Sequence, residues 1–162
     1  LNKQERMIIT HEPEYREMTD APAPMDSTTS GSRTSAIRRS LLEACRCAQI
    51  ADGFKGDNTL VLDLTKITPI FDFFVLTTGT SRRQMVAIAE EINKQQKHSG
   101  TRRQGLDGND QSQWIVQDYG DVVVHIFSPD LREVYDLERL WADAPRVDWQ
   151  AVLKEDAGEQ PA

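Results

Sequence analysis

The residues of this chain that could do chemistry are few and scattered. Gly79-Thr80-Ser81 stands between an apolar run ending at Thr78 and a helical pattern, where backbone amides at a helix start can receive a phosphate. Nucleotidyltransferases use such a turn, and they also need two carboxylates one residue apart on a strand to hold divalent ions. Here Asp121 and Asp118 flank a turn, while Asp63 and Asp72 lie on different strands, so no same-face pair forms. No P-loop lysine follows the glycine. Ser81 with Gln84 has the spacing of a capping box, so the plain reading of the turn is a capped helix start. Asp121 and His125 share one side of a strand, but four residues of strand hold them about 13 Å apart. Direct contact between them along the strand is excluded, and a core histidine is the favoured reading of His125. With His98 at a helix end and His11 near the start, the three histidines have no metal-ligand spacing.

Cys45 and Cys47 lie two apart in a helical segment, so their side chains diverge by roughly 200° and cannot pair. They read as buried thiols of a reducing compartment. Arg82, Arg83, Lys94, Lys97, Arg102 and Arg103 form a basic cluster that could meet RNA phosphate. It lacks interleaved aromatics for base stacking, and a solvated helix face is its default reading. Of the aromatics, Trp114 opens a hairpin and Tyr119 occupies its turn, positions suited to anchoring a partner, whereas Trp141 suits the core.

The elements that must position these groups follow from periodicity. Ile37, Leu41, Cys45 and Ala48 recur at helical spacing behind Ser35, which predicts a helix over 36–51. Leu60, Leu62 and Leu64 alternate, predicting a half-buried strand over 59–64. Residues 71–78 are apolar on nearly both faces, as a central strand covered on both sides requires. Met85, Ile88, Ala89 and Ile92 stripe a helix opened by Ser81 and stopped near Gly100. Residues 114–118 and 121–127 flank Tyr119-Gly120 as a hairpin. Ser128-Pro129 then starts a helix running to about 141, with Val134, Leu137 and Trp141 on one stripe. The order helix, strand, strand, helix, hairpin, helix predicts an α/β fold: a small mixed sheet flanked by helices.

Composition sets the outer limits. Of the 162 residues only 38% are hydrophobic, and mean hydropathy is -0.55. Residues 19–35 explain the dilution: they are mostly Ala, Pro, Ser, Thr and Asp, with Pro22 and Pro24 as helix breakers. The expected organisation is a disordered tail over 1–34, one domain over 35–145, and a flexible tail over 146–162. No apolar run is long enough to span a membrane, and no secretory signal pattern opens the chain, so a cytoplasmic protein is expected. The net charge of -7 is uneven. Residues 1–104 hold 15 basic and 13 acidic side chains, whereas residues 105–162 hold 4 and 13. An acidic C-terminal half fits a basic protein partner better than bare phosphate.

Two stretches carry a resemblance. W-I-V-Q-D-Y-G-D-V-V-V-H-I-F-S-P-D-L-R-E-V-Y-D-L-E-R-L-W-A-D-A-P, from Trp114 to Pro145, resembles the signature of the ribosomal silencing factors, also called RsfS or Iojap-like proteins. D-F-F-V-L-T-T-G-T-S-R-R-Q, from Asp72 to Gln84, resembles their other signature, and Gly105 and Gly108 match a glycine-bracketed link. The resemblance implies a nucleotidyltransferase-like fold without its catalytic carboxylates, no cofactor, no metal and no enzymatic activity. It implies docking on the large ribosomal subunit at the fourteenth large-subunit protein (uL14 type), which keeps the small subunit from joining and lowers translation when nutrients are scarce. Organellar relatives act in large-subunit assembly. The partner-contact residues it points to are Trp114, Tyr119, Gly120 and Asp121 on the hairpin, then Arg132, Tyr135 and Glu138 on the following helix. Contact with nearby ribosomal RNA, and a homodimer of the free protein through an exposed hairpin or helix face, are secondary expectations. A nucleotide-binding or nucleotidyltransferase-related enzyme is the alternative. The chain departs from the pattern at Arg82, where the family usually has serine, and at Val134, where it commonly has an aromatic.

Overall fold

A computed structural model describes residues 27–108 and 112–159 of the chain. Helix α1 (Ser27–Gly53) leads into strands β1 (Asp57–Asp63) and β2 (Phe73–Thr78). Helix α2 (Arg82–His98) and the short strand β3 (Gly105–Asp107) come next. The hairpin β4 (Trp114–Asp118) and β5 (Val122–Phe127) follows, and α3 (Pro129–Tyr135), α4 (Leu137–Leu140) and α5 (Trp149–Glu159) close the chain. The five strands form one mixed sheet in the order β1-β2-β5-β4-β3. Neighbouring strands are antiparallel except β2 and β5, which run parallel in the centre. Every residue of β2 and β5 is buried, the outcome expected for strands that read as apolar on both faces.

The alternation of β5 assigns its two faces. Val122, Val124 and Ile126 meet α1 and α2 in one apolar layer with Phe73, Val75, Met85, Ile88 and Ile92. Val123 and Phe127 enter the other layer with Phe74, Leu76, Trp114, Leu137 and Trp141. Ser81 caps α2 through Gln84 N (3.2 Å), and all four residues of the predicted stripe are buried. Among the described residues no helix is long and apolar enough to cross a membrane.

Three expectations are corrected. The first helix begins at Ser27 rather than 36, so the expected tail is helical from there, and residues 1–26 lie outside the described residues. Once the packed portion has nucleated, each added residue costs little, and the nearest proline on that side is Pro24. The expected flexible end over 146–162 contains α5, which packs along α1. Asp148 Oδ1 accepts from Ala151 N (3.0 Å), and Val147 and Trp149 pack on the α1–α2 core layer. That Asp-Trp-Gln-Ala start is an N-cap signature visible in the sequence.

Third, the single helix expected over 129–141 is broken. Asp136 adopts φ 39°, ψ 58°, ending α3 while its side chain caps α4 through Arg139 N. The left-handed residue resets the helical phase. Leu137 and Trp141 are buried, but Val134, expected on the same stripe, is 72% exposed.

Candidate functional site

The hairpin residues expected to meet a partner divide between two ends of the sheet. Trp114 pairs with Phe127 where the hairpin opens, while Tyr119, Gly120 and Asp121 form its turn. Strand length separates the two groups by about 15 Å. At the turn, Tyr119 N donates to Val122 O (2.9 Å) and Gly120 N to Asp118 Oδ1 (2.8 Å). Gly120 has φ +95°, which a residue with a Cβ adopts only under strain. Asp121 is exposed, and its carbonyl binds the amides of Asp72 and Phe73.

Two of the expected anchors are buried in this fold. Trp114 is 2% exposed and Tyr119 5% exposed, each inside an apolar layer. A side chain that is already desolvated has no area left to give a partner. Burial also pushes the Tyr119 phenol above its ordinary range. Trp114 instead stacks on Phe127, with ring centroids 4.7 Å apart, and its Nε1 donates to His125 Nδ1 (3.3 Å). His125 is fully buried against the rings of Phe74 and Trp114. Loss of hydration, with Arg132 nearby as a lesser cause, lowers its pKa to about 3 and keeps it neutral.

Arg132 and Glu138, also expected at the contact, face each other. Arg132 Nε donates to Glu138 Oε1 (2.7 Å), Nη1 to Thr78 Oγ1 (3.1 Å) and Nη2 to Asn58 O (3.0 Å). The guanidinium is the staple that holds α3 and α4 to the ends of β1 and β2. Of the second group Tyr135 is the most open to solvent, being 41% exposed beside Val134. Its ring lies 4.6 Å from that of Trp114, so an indole floor backs it. Near the pair along the chain lie the exposed carboxylates Asp130, Glu133 and Asp136. Helical periodicity put Val134 on the buried stripe, and the break at Asp136 takes it off the phase of Leu137 and Trp141.

The turn at Gly79 has its amides engaged internally. Gly79 N donates to Phe127 O (2.8 Å) and Thr80 N to Gln84 Oε1 (2.8 Å). Gln84 Nε2 continues to the carbonyls of Phe54 and Lys55, tying the turn to the α1–β1 connection. A Cβ on Gly79 would lie 2.5 Å from Met85 Cγ, so the helix start packs too closely for any other residue. The aspartates are less isolated than their sequence positions suggest. Asp63, Asp72 and Asp121 end adjacent strands at one side of the sheet. Burial first, then repulsion from Asp121, raises the Asp72 pKa. Asp63 Oδ1 is bound by Thr65 (N 2.9 Å, Oγ1 2.6 Å). Among the described residues no group of three His, Cys, Asp or Glu side chains gathers to hold a metal ion. Cys45 and Cys47 are free, buried thiols, pushed by burial to about 11 and about 12.

Comparison with known proteins bears on this arrangement. The family described as "Ribosomal silencing factor during starvation" matches residues 38–162. The ribosomal silencing factor RsfS of Bacillus subtilis is 38% identical over 111 residues, covering 68% of this chain and 92% of that protein. A crystal structure of a Bacillus halodurans protein aligns with TM-score 0.56 at 36% identity, covering 64% of this chain and 94% of that one. A mouse protein named for mitochondrial assembly of the large ribosomal subunit is 37% identical over 73 residues, covering 43% of this chain and 32% of that protein.

Proposed function

This chain belongs to the family of ribosomal silencing factors, and we propose that it docks on the large ribosomal subunit and blocks joining of the small one. The docking partner in this reading is the fourteenth large-subunit protein (uL14 type), and translation falls when nutrients are scarce. No catalytic step is involved. The observation that carries it is the Val134–Tyr135 pair, 72% and 41% exposed, with the exposed carboxylates Asp130, Glu133 and Asp136 close to it along the chain. An apolar pair among carboxylates suits a basic protein surface with an apolar knob. Tyr135 already rests on Trp114, so docking costs little side-chain entropy. Trp114 acts from beneath this surface rather than on it. Gly120 and Asp121 stay accessible at the opposite end of the sheet and lie outside it.

The test is sedimentation with purified large subunits. Tyr135→Ala combined with Val134→Asp should weaken binding about thirtyfold, equivalent to about 2 kcal/mol. Stability should fall by about 1 kcal/mol, the contact of Tyr135 with Trp114, and the variant should stay folded at the temperature of the assay. The double variant should also lose the block on subunit joining. Undiminished sedimentation by the folded double variant overturns this surface assignment.

A further inference from the structure

A line of contacts runs from the core of the sheet to the Tyr135 surface. Trp114 pairs across the hairpin with Phe127, and Val116 with His125, so Trp114 and His125 are diagonal neighbours on one face. His125 Nδ1 accepts from Trp114 Nε1 (3.3 Å), which leaves the proton of the neutral ring on Nε2. Nε2 is buried and finds no hydrogen-bond partner among the described residues. A buried N–H without a partner costs free energy, and a phenyl ring of similar shape would fill the same place without that cost. Stability alone therefore does not account for an imidazole here. What the imidazole supplies, and a phenyl ring cannot, is an acceptor for the indole.

The indole in turn bears on Tyr135, with ring centroids 4.6 Å apart. Tyr135 is the last residue of α3, before the left-handed Asp136. It therefore has no neighbours three and four residues further along its own helix to brace it. The Trp114 ring, stacked on Phe127 and bonded to His125, provides a brace. A contact surface is presented accurately only when the residues beneath it are themselves held in place.

We propose that His125 is a positioning residue for docking: its Nδ1 fixes the Trp114 indole, and the indole fixes Tyr135 for the partner. This rests on the docking reading given above. His125 touches no partner itself, being fully buried.

The experiment compares His125→Phe and His125→Asn in the full chain. Phe keeps a ring and loses the acceptor, whereas Asn loses ring volume and keeps a carbonyl oxygen near the place of Nδ1. His125→Phe should melt within a few degrees of the parent but bind purified large subunits about tenfold more weakly. His125→Asn should melt lower, because it leaves a cavity. Below its melting transition it should still bind within about twofold of the parent. Stability and binding then rank the two variants in opposite orders, which a merely structural histidine would not produce. With fluorotyrosine incorporated, the Tyr135 fluorine line should shift in His125→Phe and stay in place in His125→Asn. The control is Val134→Asp with Tyr135→Ala. If it loses binding while His125→Phe binds like the parent, docking stands and the positioning role falls. Undiminished binding by the control overturns both. Binding losses that follow the melting temperatures, an unmoved fluorine line, or a Phe variant that does not fold would each make His125 a core residue only and overturn the proposal.

Discussion

His125 shows how a residue able to do chemistry can be committed to structure. Its Nδ1 accepts from the Trp114 indole, and its ring lies 4.7 Å from that of Phe74. The folded pKa of about 3 lies below the value near 6.5 of an unfolded chain. As pH falls through that window the unfolded state binds a proton first, so stability is full above about 6.5 and declines toward 3. Between pH 7 and pH 5 this one group should remove about 2 kcal/mol of unfolding free energy. His125→Phe should flatten that part of the profile whatever its own stability, as read by urea unfolding at several pH values. An identical slope in parent and variant would mean that His125 is not buried neutral. His125 was legible as a core histidine from its place on an apolar strand. The burial of Trp114 and Tyr119 was not, because a strand opening and a turn are usually open to solvent, and only packing decides otherwise.

At the scale of elements, the break at Asp136 and the staple through Arg132 form one device. The left-handed Asp136 lets α4 turn back so that Glu138 meets Arg132, and Arg132 reaches across to Thr78 and Asn58. Both side chains are largely buried, at 9% and 17% exposure. Removing one partner strands a charge, so Arg132→Ala should cost about 3–5 kcal/mol in chemical unfolding. Arg132→Met with Glu138→Leu should recover most of that, because it removes both desolvation penalties together. A double variant as unstable as the single one would show that the staple acts through its bonds to Thr78 and Asn58 instead. The same break is why Val134 points outward, so the docking surface proposed above depends on an element boundary that helical periodicity alone ran straight through.

Across the whole molecule the two layers have different support. Long helices α1 and α2 cover one face of the sheet, with α5 packed along α1. Short helices and Trp141 cover the other. The chain between 145 and 149 belongs to the fold twice, as the closure of the β1 edge and through Val147 and Trp149 on the core. Trp149→Ala should therefore lower stability by about 2 kcal/mol in thermal or urea unfolding, given its partial burial. Sedimentation with large subunits should be unchanged well below the melting temperature. A parent-like melting temperature would return this end of the chain to the role of a loose tail.

The sequence by itself determined the elements with strong local periods. The central strands, the Ser81-capped helix and the hairpin read correctly because side-chain alternation and capping are local properties of the chain. The family, too, was written in the two long signatures. Tertiary structure decided what no local pattern encodes. It pairs Arg132 with Glu138, buries Trp114 and Tyr119, brings three aspartates to one end of the sheet and docks α5 on α1. Each of these depends on which distant segments lie side by side. Exposure is a property of that assembled neighbourhood, so residues chosen as contacts by type and position alone divided into core and surface only once the sheet was built.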